Sequence, residues 1–209
     1  MTRPRFISMT LLRSRAHRYV DRLRGQQNVD RLVTLGLEVG ERSYISDRVY
    51  IDPGRPWLVS IGDDTVIAPF AMIFAHDASM LKAAGYTRLS SVRVGSRVYV
   101  GAGAILLPGT VIGDDSVVGA GAVVSGEVPP GSVVAGNPAR VLRDVSSFAD
   151  GHRLAAERGP TWPWNGWTLY SGITRDRRRQ QRELLSGARS GYLRARPGAE
   201  HDNPVPDDV

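Results

Sequence analysis

Aliphatic residues return every six positions through the middle of the chain. Val94, Val100, Leu106, Ile112, Val118 and Val124 fall on this period. The next position is mostly glycine: Gly95, Gly101, Gly113 and Gly119, with Leu107 and Ser125 at the other two. Four residues after each aliphatic stand Val98, Ala104, Thr110, Ser116, Ala122 and Val128, most of them small. The same frame runs upstream through Val39, Ile45 and Ile51. It breaks around Pro53, Gly54 and Pro56 and resumes at Ile61, Ile67 and Ile73. Such a period matches neither an amphipathic helix nor a strand alternating in and out. A hexapeptide repeat predicts a mainly β chain folded as a parallel β-helix. Each unit gives one short strand and a corner, and three units close a triangular coil. The aliphatic side chain points inward and stacks on its counterpart in the next coil. Glycine serves a corner that needs positive φ or a close backbone approach. An ordinary β-sandwich would instead space its turn signals roughly every 8–12 residues.

The two ends carry other patterns. Residues 1–38 read as a helical segment, with helices predicted over 7–24 and 28–36. In the first, Leu12, Ala16, Tyr19 and Leu23 form a stripe, and five arginines form the polar side. A basic amphipathic helix can lie on a membrane, but packing on its own domain is the expectation here. Residues 39–143 form the repeat domain, with an excursion loop over 77–93. Residues 144–209 form an extension with a helix over 174–186, Thr174 as N-cap and Gly187 beyond its end. The last dozen residues, rich in Pro and Asp, are expected to be disordered.

Composition narrows the function classes. The 209 residues carry 27 basic and 21 acidic side chains, a formal charge of +6. The arginines gather toward the ends and no nucleic-acid motif interrupts the middle, so nucleic acid is not the expected partner. Cysteine is absent, which rules out disulfides and thiolate metal sites in this chain. No apolar run is long enough to span a bilayer and no signal peptide is read. A cytoplasmic location is the default expectation.

The runs Val-Tyr-Val-Gly-Ala-Gly-Ala (98–104), Leu-Pro-Gly (107–109), Val-Gly-Ala-Gly-Ala-Val-Val (118–124) and Ala-Gly-Asn-Pro-Ala-Arg (135–140) resemble the hexapeptide-repeat acyltransferases. The maltose, galactoside, capsule and lipopolysaccharide O-acetyltransferases are the nearest types. The resemblance covers roughly residues 39–143. It implies a left-handed coil and a homotrimer with active sites between subunits. It also implies acyl-CoA as co-substrate, with no tightly bound cofactor.

Within this frame His76 stands out. Of the four histidines, His17, His76, His152 and His201, it alone lies in the repeat region. It stands where the pattern stops, before the restart at Val94. A hydroxyl attacks a thioester poorly at neutral pH, and an imidazole can take its proton in the transition state. The resemblance therefore implies His76 as general base, and the tetrahedral oxyanion then needs fixed donors. Asp77 either shapes the acceptor site, orients His76 indirectly or simply forms a turn. Lys82, Tyr86 and Arg88 on the excursion are expected to help select acceptor or acyl group.

The resemblance places CoA along the last coils. Tyr99 falls in the active-site wall, and Ala102 and Ala120 fall where the pantetheine arm meets backbone. Ser125 and Gly126 match a Thr-Lys pair of some relatives, so one phosphate contact is missing. Asn137 belongs to the Asn-Pro-Ala-Arg ending, and Arg140 and Arg143 match basic positions near the nucleotide. The tail, with Trp162, Trp164 and Trp167, is similar to tails of acyltransferases of mycobacterial methylglucose polysaccharide synthesis. These include succinyl transfer. The tryptophans either stack on sugar or pin the tail down. The expectation is acetyl or succinyl transfer from CoA to a sugar or polysaccharide hydroxyl. N-acylation of an amino sugar or amino acid is an alternative, and a non-catalytic scaffold is another. A metal enzyme on this scaffold would need three convergent histidines, and the repeat supplies one.

Overall fold

The computed structural model of the chain describes residues 27–195. The helix expected over 7–24 and the end expected to be disordered lie outside these residues. Three parallel sheets form the walls of a prism, with the hexad aliphatics in register. Sheet I stacks Val39, Ile61, Val94, Ile112 and Val128. Sheet II stacks Ile45, Ile67, Val100, Val118 and Val134. Sheet III stacks Ile51, Ile73, Leu106 and Val124. All but Val39 and Ile45 are buried. Each fully buried Val, Ile or Leu contributes about 1.5–3 kcal/mol. The inner small positions hold Thr65, Thr110 and Ser116, whose hydroxyls bond carbonyls of the next coil at 2.8, 3.0 and 3.1 Å. Burial of these hydroxyls is thereby compensated. This is the left-handed parallel β-helix of the hexapeptide pattern.

The corners separate the two uses of glycine that the sequence leaves open. Positive φ falls at the third residue after the aliphatic, and six of these residues are not glycine. They are Arg42, Arg48, Asp64, Phe70, Arg97 and Asp115, at φ of 53–64°. Glycine directly after the aliphatic serves close approach instead. A Cβ on Gly101 would stand 2.5 Å from the Ala120 nitrogen, and one on Gly95 2.4 Å from an Asp114 carboxylate oxygen. The left-handed residue donates its N–H to the coil before. Asp64 bonds Glu41, Arg97 bonds Asp63, Gly103 bonds Pro69, Asp115 bonds Ser96 and Gly121 bonds Ala102, at 2.8–3.0 Å.

The outer rows differ between walls. Successive strand residues point to opposite faces. Sheet I turns Glu38, Ser60, Arg93, Val111 and Glu127 outward. Sheet II turns out Tyr44, Val66, Tyr99 and Val117, and sheet III turns out Tyr50, Met72, Ile105 and Val123.

Both ends of the coil are closed. Helix α1 (Val29–Thr34), with Asn28 as its cap, buries Leu32 in the first coil. Gln27 pairs through its amide with both backbone groups of Ile51, at 2.7 and 2.9 Å. At the other end Ser132–Gly136 extends sheet II, turns at Asn137 and Pro138, and returns antiparallel as Ala139–Asp144. Between Ile73 and Val94 the coil is interrupted by a hairpin, His76–Asp77 against Arg88–Leu89, with helix α2 (Leu81–Ala84) at its tip.

The extension begins with helix α3 (Val145–Arg158), absent from the sequence expectation. Asp144 starts it, accepting the Ser147 N–H at 2.8 Å and both neighbouring serine hydroxyls. The apolar periodicity along α3 is weak and none of its residues is buried, so the cap is its main sequence signal. Helix α4 (Arg175–Ser186) carries the Thr174 cap. Trp162 is buried against Leu185 and Gly191. Trp164 stacks on Tyr170 with centroids 6.4 Å apart, and Arg177 lies 5.3 Å over Trp167.

Candidate active site

Both interruptions of the repeat fall at the corner where sheet III returns to sheet I. In the first, Asp52 occupies the place that glycine holds elsewhere, and it is buried. Its carboxylate accepts the Ala75 and Gly54 N–H groups, each at 3.1 Å, and meets His76 Nδ1 in a short hydrogen bond. Burial pushes this carboxyl up, but the bonds from His76, Ala75 and Gly54 outweigh it and hold the group below its ordinary value. An ionised carboxylate only accepts, so Nδ1 carries the proton. That tautomer leaves the Nε2 lone pair free, on an imidazole whose side chain is 33% exposed.

His76 opens onto a cleft of about 490 Å³ that Asp77, Arg88, Gly109, Ser125 and Gly126 also line. The excursion alters the backbone there. In the regular frame the N–H of Gly109 would bond the Ala75 carbonyl. Ser90 takes that carbonyl instead, at 3.0 Å. Among the described residues the Gly109 N–H has no acceptor, and Gly109 stands in the cleft at φ +89°. A free N–H beside an imidazole is a ready anion donor.

Of the residues singled out from the sequence, this cleft gathers His76, Asp77, Arg88, Ser125 and Gly126. The others stand elsewhere on the chain. Lys82 sits on α2 and Tyr86, 77% exposed, at the hairpin tip. Tyr99 lies on the outer row of sheet II, and Ala102 and Ala120 on the sheet II–III corner. Asn137 forms the last turn, with Arg140 and Arg143 on the return strand. Asp77 makes no hydrogen bond to His76 among the described residues. Its carboxylate accepts the Ser79 N–H at 2.8 Å, an Asx turn, which holds the group below its ordinary value with help from Arg88. The carboxylate that meets the His76 ring is Asp52, which sequence reading missed. Its signal was the frame itself: Ile51 and Ile73 stack, so the residues after them share one corner.

A family model of bacterial transferase hexapeptides (six repeats) matches residues 91–126. YvoF of Bacillus subtilis (strain 168), designated an acetyltransferase, is 32% identical over 59% of this chain and 69% of its own length. The chain belongs to the hexapeptide-repeat acyltransferases. The galactoside O-acetyltransferase of Escherichia coli (strain K12) is 30% identical to this acyltransferase over 52% of the chain and 64% of that protein. The chain thus spans about two thirds of the length of these relatives. A hexapeptide-repeat acetyltransferase of Vibrio cholerae O1 biovar eltor, solved with acetyl coenzyme A, is 30% identical. It superposes with a TM-score of 0.47 over 51% of this chain and 58% of its own. In the acyltransferase described here, no helix among the described residues is long and apolar enough to cross a membrane. No cluster of three or more His, Asp or Glu stands among them to hold a metal ion.

Proposed function

We propose that this hexapeptide acyltransferase moves an acetyl or succinyl group from acyl-CoA to a hydroxyl of a sugar or polysaccharide. The observation that carries the reading is the Asp52–His76 pair at the mouth of the cleft. Relatives named as galactoside and lipopolysaccharide O-acetyltransferases support the sugar hydroxyl. His76 Nε2 takes the hydroxyl proton as the oxygen attacks the thioester carbon. The tetrahedral oxyanion forms at the free Gly109 N–H. Collapse expels the CoA thiolate, which takes the proton back from His76. Asp52 holds the tautomer throughout and stabilises the transient imidazolium. CoA comes and goes as a co-substrate, its phosphates meeting Arg140 and Arg143.

The assembly in this reading is a homotrimer. Largely apolar outer rows on sheets II and III, against a row on sheet I that is polar except for Val111, support two walls covered by other copies. Sheet II of one copy against sheet III of the next is a head-to-tail contact that closes into a ring. It places Tyr99 in the contact between copies.

The test is CoA release measured with a thiol reagent, offering acetyl-, succinyl- and octanoyl-CoA against sugars and glucan oligomers. Turnover with one donor that falls by about 10²–10⁴ in His76→Ala supports the base. Acceptor-dependent turnover that survives His76→Ala overturns it.

A further inference from the structure

Arg88 is the cation of the cleft, and its position is built rather than incidental. The hairpin pairs it with Asp77, the residue after the base. Its Nη2 donates to the Pro108 carbonyl at 2.7 Å, which ties the guanidinium to the coil below His76. Room for it comes from Gly109, where a Cβ would stand 3.3 Å from Nη2. Among the described residues it makes no ion pair. Asp77 is its acidic neighbour, but one of that carboxylate's oxygens is committed to the Ser79 N–H. A guanidinium has five N–H donors, and the Pro108 carbonyl needs one. What remains is a planar, always-charged fork on an exposed residue, tethered by that one bond beside the proposed general base.

We infer that Arg88 is a specificity-determining residue that receives a carboxylate of the substrate, and so selects carboxylated over neutral partners in this cleft. This rests on the acyltransferase reading above. A fork matches a carboxylate bidentately and loses little freedom when it is tethered beforehand. The carboxylate has two sources in the reaction. It is the free end of a dicarboxylic acyl group on the donor, or the acid group of a uronic-acid acceptor.

The test pairs donors and acceptors that differ only in this charge. Succinyl-CoA and acetyl-CoA are offered to neutral glycosides, and acetyl-CoA is offered to glucoside and glucuronide pairs. Each series is run with the wild type, Arg88→Gln and Arg88→Lys. Binding of a CoA thioether bearing a terminal carboxylate is measured by calorimetry beside its uncharged counterpart. The expected result is a loss of about 10–100-fold in kcat/KM for carboxylated substrates in Arg88→Gln, that is about 1.4–2.7 kcal/mol. Neutral substrates lose less than carboxylated ones by about tenfold or more, since loosening the Pro108–Gly109 peptide that Arg88 holds affects both alike, and Arg88→Lys recovers only part, because the ammonium lacks the fork. The arm in which the loss appears names the source. Equal losses on charged and neutral substrates, or a wild type that prefers neutral ones, overturn the inference and leave the transferase standing. If neither thioether binds and no pair turns over, the transferase reading falls and takes this one with it.

Discussion

Along the edge between sheets I and II, Arg42, Asp64, Arg97 and Asp115 occupy successive left-handed corners, so charge alternates coil by coil. Arg42 meets Asp64 at 2.6 Å and Arg97 meets Asp115 at 2.6 Å. Along the edge between sheets III and I the same frame is broken twice. There it holds a buried carboxylate, an imidazole and an unbonded N–H. The first edge is regular, exposed and self-satisfied. The second departs from the repeat and leaves polar groups facing a cleft. The proposed chemistry sits where the repeat gives up hydrogen bonds that the fold would otherwise use.

The largest contrast should come from Asp52→Asn. Losing the carboxylate frees the wrong tautomer, and kcat should fall roughly 10²-fold or more with KM little changed. A kcat within threefold of wild type would remove Asp52 from its positioning role. Next comes Val117→Asp on the outer row of sheet II. Light scattering should show trimer giving way to monomer, with the coil retained by circular dichroism. A trimer that survives would sink the sheet II–sheet III contact. Gly101→Ala should cost about 1–3 kcal/mol in urea, because the new Cβ meets backbone at 2.5 Å. Gly103→Asn, at φ +68° with open space around it, should cost below about 1 kcal/mol. Equal costs would refute the division of labour between the two glycine positions.

The smallest effect belongs to the charged edge. Arg97→Ala should barely move the denaturant midpoint at neutral pH, since both partners are about half exposed. Arg97 does hold the Asp115 carboxyl below its ordinary value. A depressed carboxyl stabilises the fold above its unfolded value, about 3.9. That gain is lost as pH falls through the lower folded value. The wild type should therefore lose more of its melting temperature than Arg97→Ala on acidification below about pH 4. Parallel curves would show that the pair contributes nothing.

The coil was legible because one residue in six must fill a narrow interior, and the stacked aliphatics wrote that demand directly. His76 was legible as the break in the frame. Asp52 was not singled out, since 24 residues separate it from His76 and only stacking joins them. Ser90 and Gly109 were less visible still. Their part lies in which carbonyl an N–H reaches, and that leaves no mark on side-chain type. Arg48, Arg97 and Phe70 at positive φ run against residue preference, because the stack above and below decides those corners. Helix α3 was missed for the opposite reason: its half-buried stripe is Val145, Phe148 and three alanines, too slight to stand out as a period.

The antiparallel return of Ala139–Asp144 bears on something larger than one molecule. A parallel coil is open-ended, and its last rung is a template on which another chain's first rung could continue. Such growth is a filament. Reversing direction on sheet II denies an incoming coil its register there, and Gln27 and Leu32 occupy the opposite end. End-to-end growth of this repeat is thus opposed by two short stretches at its poles, whatever its walls assemble into.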